Sequence, residues 1–253
     1  VAIRFKIGTF TALTGLLVLA NSFALASGKV LQGQIVHSDS IPALDKRMRV
    51  GETFDKSLVS TEGNERLNFY QIPEWIAGTY SLHEIIQTSY FDYATNHQSN
   101  EVIKRAVKQD NITWGTIRDA QNRFWEEDHS PISQFSENLS DNSYIYGVIK
   151  ENFPVSNSPQ AIVMQSTNLN TQVDKTTNKI KLIINLEEFS KYTPTGDGNV
   201  RIERSIKAFS PEGKPLALTT DYGILQRTGP MPVPANKAEV EKDLAIFLKQ
   251  YSK

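Results

Sequence analysis

The sequence predicts a mainly β protein: an antiparallel up-and-down β-barrel of about eight or nine strands, followed by a C-terminal α-helix. Three observations predict it. From Ile76 to about Leu225, short strand-like runs follow one another, separated by polar turn segments such as "TNHQSN", "DKTTN", "TPTGDGN" and "SPEGKP". No segment between them carries the helical periodicity of a βαβ crossover. A helical stripe comes at the end of the chain, after Pro230, Pro232 and Pro234.

The elements are justified in order from the N-terminus. "VAIRFKIGTFTALTGLLVLANSFALASG" places Arg4 and Lys6 before an apolar stretch from Ile7 to Ala20, then Ala24-Leu25-Ala26. That order is the signature of a secretory signal peptide over 1–26, with cleavage expected after Ala26 and Ser27 as the new N-terminus. The apolar stretch is short for a bilayer core, which needs about 20 residues. Export from a bacterial cell, to the periplasm or beyond, is the expected localisation. No Cys occurs in the chain, which excludes disulfides, thiolate metal sites and a lipid-modified cysteine. Removing Arg4 and Lys6, with no acid among the first 26 residues, takes the formal charge from -1 to -3. No basic stripe is left to mark a nucleic-acid partner. Later apolar runs are too short and interrupted for a membrane span, so a soluble mature protein is expected.

Residues 27–70 read as an irregular lead-in, and 71–230 as the β domain. Two runs show the two-residue period best. In "KIKLIINLEEF", Ile180, Leu182, Ile184 and Leu186 share one face. In "VRIERSIKAF", Val200, Ile202, Ile206 and Ala208 share a face, with Arg201, Glu203 and Lys207 opposite. The loop "TPTGDG" joins them as a hairpin whose glycines supply positive φ. Within 231–253, Asn236 is a candidate N-cap with Glu239 three residues on. Val240, Leu244, Phe247, Leu248 and Tyr251 form an apolar stripe that predicts a helix packed on the outside of the barrel.

The stretch "WIAGTYSL", from Trp75 to Leu82, adds a motif: Ala77-Gly78-Thr79-Tyr80, apolar, Gly, small, aromatic. It resembles the start of the first strand in the calycin barrels: lipocalins, fatty-acid-binding proteins and avidins. The resemblance implies that Gly78 lets the chain bend and that Tyr80 closes one barrel end beneath a late basic side chain. Arg227 in "GILQRT" fits that role, stacking on Tyr80 or Trp75. Tyr80 stands where these families mostly carry Trp, and the Arg-x-Tyr of fatty-acid-binding proteins has no counterpart.

Catalytic signatures are not apparent. His37, His83, His97 and His129 fall in no zinc spacing. "EEDHS" would put Glu127 and His129 on one strand face, where a metal or plain solvation would suit them. "TGDGN" lacks the acids of a calcium loop, and no G-x-S-x-G elbow or phosphate-cradling loop is found. No cofactor and no enzymatic activity are expected.

Arg204 is the sharper feature, because its strand places it among four apolar neighbours. A buried guanidinium needs a partner, either a carboxylate-bearing ligand or an internal acid such as Glu84 on the face of Tyr80. A rim position or a bulge would remove that need. Trp114, Tyr144, Tyr146 and Trp125 either line a pocket or belong to the core. The expected function is binding of a small apolar or carboxylate-bearing ligand inside the barrel, with Arg204, Glu84, Trp114, Tyr144 and Tyr146 as contacts. The alternative is an envelope protein-interaction module whose barrel is filled by its own side chains.

Overall fold

The computed structural model describes residues 36–59, 68–128, 130–136 and 142–251, with the side chains of 133–136 and 251 excluded. The signal segment, Ser27 and His129 lie outside these. The described chain is mainly β and antiparallel, with a C-terminal helix. Its strands are β1 (Asn68–Ile72), β2 (Gly78–Asp92), β3 (His97–Ser99), β4 (Ile103–Trp114), β5 (Ile117–Arg118), β6 (Phe124–Asp128), β7 (Ile132–Ser136), β8 (Ser143–Asn157), β9 (Ile162–Asp174), β10 (Ile180–Pro194), β11 (Val200–Phe209) and β12 (Pro215–Gly229); α1 is Lys237–Tyr251.

Nine strands make one large sheet. Its order is β3 or β4, then β2-β12-β11-β10-β9-β8-β7, with β3 and β4 pairing along different parts of β2. Among the described residues β7 and β4 do not pair, so the meander is an open sheet. It nevertheless curls. Trp114 on β4 and Tyr192 on β10 are four strands apart, about 19 Å on a flat sheet at the usual spacing. Their rings meet at 4.8 Å between centroids, at 69°. The face bearing both is therefore concave.

The other, convex face is covered by the lead-in. Backbone bonds from Ile41 to Gly213, Leu44 to Pro211, Gly51 to Ile180 and Phe54 to Asn178 tie residues 41–54 across it. Met48 and Phe54 bury against Tyr146, Val148, Leu169, Val173, Ile180 and Ile183. The lead-in is thus a strap, irregular because its polar backbone follows the sheet surface.

Three strands, β1-β6-β5, form a second sheet. The predicted run "ITWGTIRD" breaks here, because Gly115 adopts φ 89° and turns β4 into β5. Tyr70 and Ile72 on β1, and Phe124 on β6, pack towards the core of the concave face. Phe69, Ile117 and Trp125 point the other way and receive Val240, Leu244 and Phe247 of α1. The helix stripe predicted to meet the barrel thus finds its buried partners on the small sheet, which lies between helix and concave face.

Register decides which expectations survive. Strand β11 runs without a shift from Val200 to Ala208, and Val200, Ile202, Arg204, Ile206 and Ala208 do share a face. In β10 a bulge between Ile180 and Leu182 moves Ile180 to the convex face with Ile183, leaving Leu182, Ile184 and Leu186 on the concave side. A one-residue shift reverses every side chain beyond it. The predicted hairpin is present: Thr195 donates to Asn199 across a turn in which Gly198 has φ 83°.

Candidate functional site

One end of the concave face is shut by the residues of the Gly-aromatic motif. Tyr80 is 0 % exposed, and its hydroxyl donates to Ile76 O at 2.9 Å. The Arg227 guanidinium lies over its ring at 4.9 Å and donates to its oxygen at 2.6 Å. The same guanidinium donates to Ala77 O at 2.9 Å, Trp75 O at 2.7 Å and Gly198 O at 3.1 Å. A methyl at Gly78 would overlap Arg227 Nη1, so close approach is what requires glycine there. Trp75, Gly78, Tyr80 and Arg227 thus occupy one locus. Behind them Ile76, Leu82, Trp114, Ile162, Met164, Val200, Ile202 and Leu225 fill the interior.

Further along the face the lining turns polar. Arg204, 9 % exposed, meets Asp221 in a bidentate pair, Nε to Oδ1 at 2.7 Å and Nη2 to Oδ2 at 2.8 Å. The two residues are direct partners in the β11–β12 ladder. Burial works against the Arg204 charge, but Glu188 and Asp221 outweigh it and hold the guanidinium above its ordinary range. Glu188 accepts from Ser190 at 2.6 Å. Burial, reinforced by Glu188, pushes the Tyr192 phenol up.

The small sheet adds the opposite wall. Tyr70 and Glu126 are cross-strand partners on the side of β1 and β6 that faces the core. Burial pushes the Glu126 carboxyl up to about 7, against the pull of the Gly115 N–H that it accepts; Glu127 and Asp128 add to the rise. Burial, with help from Glu126, also raises Tyr70, so that phenol stays neutral. Beyond this polar group, Leu182, Ile184, Leu186, Ile206, Ala208 and Ala217 continue along the concave face, each half-buried.

The expected ligand contacts are only partly gathered here. Arg204 and Trp114 lie on the concave face. Glu84 does not: β2 carries one extra residue between Ser81 and Ile85 against β12, which turns it outward, where it is exposed and 3.9 Å from Lys104 Nζ. It is not the partner of Arg204. Tyr144 and Tyr146 sit on the convex side, where with Phe54, Lys56 and Asn178 they line a shallow depression of about 390 Å³. Trp125 is core against α1. Sequence reasoning missed Asp221, although it interrupts its strand just as Arg204 does. It also missed Glu126, Tyr70, Glu188 and Tyr192, for which no local signal exists.

A second polar chain lies under the strap. His37 bonds Glu187 Oε2 through Nδ1 and Ser205 Oγ through Nε2, both at 2.8 Å. Ser38 adds its backbone N–H and hydroxyl to Glu187 at 2.9 and 2.8 Å, and Lys207 donates to Ser38 O at 2.7 Å. The order Ser, His, carboxylate is that of an activated nucleophile. Here Ser205 is 3 % exposed, on a strand paired on both sides, so the chain lashes the strap to the sheet. Among the described residues no three acid or His groups converge as for a metal, and no helix is long and apolar enough to cross a membrane. Comparison of the chain with protein-family models, curated proteins and solved structures gives no match.

Proposed function

We propose that the protein is an exported, non-catalytic binding module of lipocalin-like architecture, which holds a small, partly apolar molecule along its concave face. The observation that supports this most is the half-buried wall of Leu182, Ile184, Leu186, Ile206, Ala208 and Ala217, which leads to an ordered polar group. An apolar cleft with a few convergent polar side chains is the usual form of a small-molecule site. The closed end at Tyr80 and Arg227 fits a cup open at its other end, and the Ala24-Leu25-Ala26 segment fits export.

The charges bear on the ligand. Arg204 is already paired with Asp221, whereas among the described residues Asp128, Glu188 and, once it loses its proton near pH 7, Glu126 have no cationic side chain bonded to them. An acidic ligand would meet this surplus unfavourably, so a neutral or cationic head group suits the site better than a carboxylate. Native mass spectrometry of the protein purified from its host tests the reading, with a co-purified small molecule expected. Recovery of bare protein that also gives no thermal shift with octanol, octanoate or octyltrimethylammonium would overturn it. The filled interior behind Tyr80 favours a second reading, an envelope interaction module, which the same bare result would support.

A further inference from the structure

On the convex face, beneath the strap, three polar side chains lack what burial requires. Lys150 leaves β8 at the bulge between Ile149 and Glu151. Its ammonium is half-buried and donates to Asn185 Oδ1 at 3.1 Å, and among the described residues it has no carboxylate within ion-pair distance. Burial holds its pKa below the ordinary lysine range, and the one charge acting the other way is the exposed Glu151. Asn185 is 1 % exposed, and its Nδ2 has no hydrogen-bond partner; Thr171 is 0 % exposed, and its Oγ1 has none either.

Register brings these together. Thr171 is the direct partner of Ile183, two residues before Asn185 on β10. Thr171 and Asn185 are therefore diagonal neighbours on one face, with Cβ atoms about 7 Å apart, a span that one bridging atom can bond from both sides. The amide orientation of Asn185 is set, because turning it over would press its NH₂ against the Lys150 ammonium. What remains free is an amide N–H donor, a hydroxyl and part of an ammonium, beside the apolar cluster of Tyr146, Val148 and Leu169. Leaving such donors unpaired costs about 1–3 kcal/mol each, and a desolvated ammonium asks for a counter-charge as well.

We infer that Lys150, Asn185 and Thr171 together hold a small monatomic anion of the chloride type, clasped between β8, β9 and β10 under the strap. A water molecule answers the need less well. It accepts two hydrogen bonds but must place two hydrogens of its own, with a single hydroxyl to receive them, and it brings no charge. A polyatomic oxyanion would press further oxygens on apolar side chains that offer them no donor.

The full exported chain is melted in potassium gluconate with increasing potassium chloride or bromide, at constant ionic strength. The midpoint should rise by about 2–4 °C for each fivefold increase of halide above its Kd. In Lys150→Met and in Thr171→Val the halide dependence should vanish, whatever the stability of the variants. Crystals soaked in bromide should show an anomalous peak about 3.3 Å from Asn185 Nδ2. Identical melts in chloride and gluconate would overturn the assignment. So would a halide dependence that survives in both variants, or a water without anomalous signal at the bridging position.

Discussion

Glu126 offers the most direct test of the polar group on the concave face. Its carboxyl stands opposite Tyr70, takes the Gly115 N–H, and titrates near 7 instead of an ordinary 4.5. The folded state therefore holds a proton between pH 4.5 and 7 that the unfolded chain has released. Where the folded state binds more protons, stability falls as pH rises. The loss begins near the unfolded value of 4.5 and is complete above 7. At 1.36 kcal/mol for each pKa unit, it amounts to about 3 kcal/mol.

Glu126→Gln removes the titration but keeps a carbonyl oxygen for Gly115. Urea melts of both proteins are compared from pH 4.5 to 9. At the acid end the variant should differ from wild type by a constant offset, set by how well the new NH₂ group is accommodated. As pH rises, the variant should gain on wild type by up to about 3 kcal/mol, with most of the gain before pH 7.5. All other titratable groups are common to both proteins and drop out of the difference. Parallel profiles across the whole range would refute the reasoning, because they would mean that Glu126 is ionised and solvated in the fold.

The remaining expectations concern the closed end, the interior pair and the strap. Gly78→Ala must expel an Arg227 guanidinium held by four groups, and should lower stability by about 1–3 kcal/mol in thermal melts; no shift would show that Arg227 gives way freely. Arg204→Met leaves Asp221 buried and unpaired, and should cost about 3–5 kcal/mol in urea. Adding Asp221→Leu should restore most of that loss, and failure to do so would break the pairing argument. Burial pushes Glu187 up, but bonds from His37 and Ser38 overcome this and hold it below the ordinary glutamate value. Its stabilisation is thus present above about pH 4.5 and lost as pH falls through its lowered folded value. His37→Ala should flatten that acid limb and speed tryptic cleavage after Lys46, Arg47 or Arg49 at pH 7; unchanged cleavage would show that the strap is held elsewhere.

These residues differ in how far the sequence alone exposes them, and the difference has a physical cause. Gly78, Tyr80 and Arg227 were legible because their demands are local: a glycine where a guanidinium leaves no room, and an aromatic for that guanidinium to cover. Arg204 was legible because β11 keeps its register from Val200 to Ala208, so simple alternation places it correctly. Its partner was not. Glu84 lies on β2 between Ser81 and Ile85, where β2 carries one extra residue against Gly223–Gln226 of β12, and that single shift exchanges inside for outside. Counting by twos from Tyr80 therefore ends on the wrong face. Asp221 stands opposite Arg204 through a register that no run of β12 reveals by itself, and β12 shifts against β2 between Thr220 and Asp221. Glu126 and Tyr70 lie further still from local inference. They face the interior because Gly115 turns the chain out of β4 and lets a second sheet fold back over the first. The concave face is thus assembled from the sum of several one-residue shifts. What the sequence displays is the end of the concave face that has to be tight; the chemistry of the rest exists only once the bulges have set which side chains look inward.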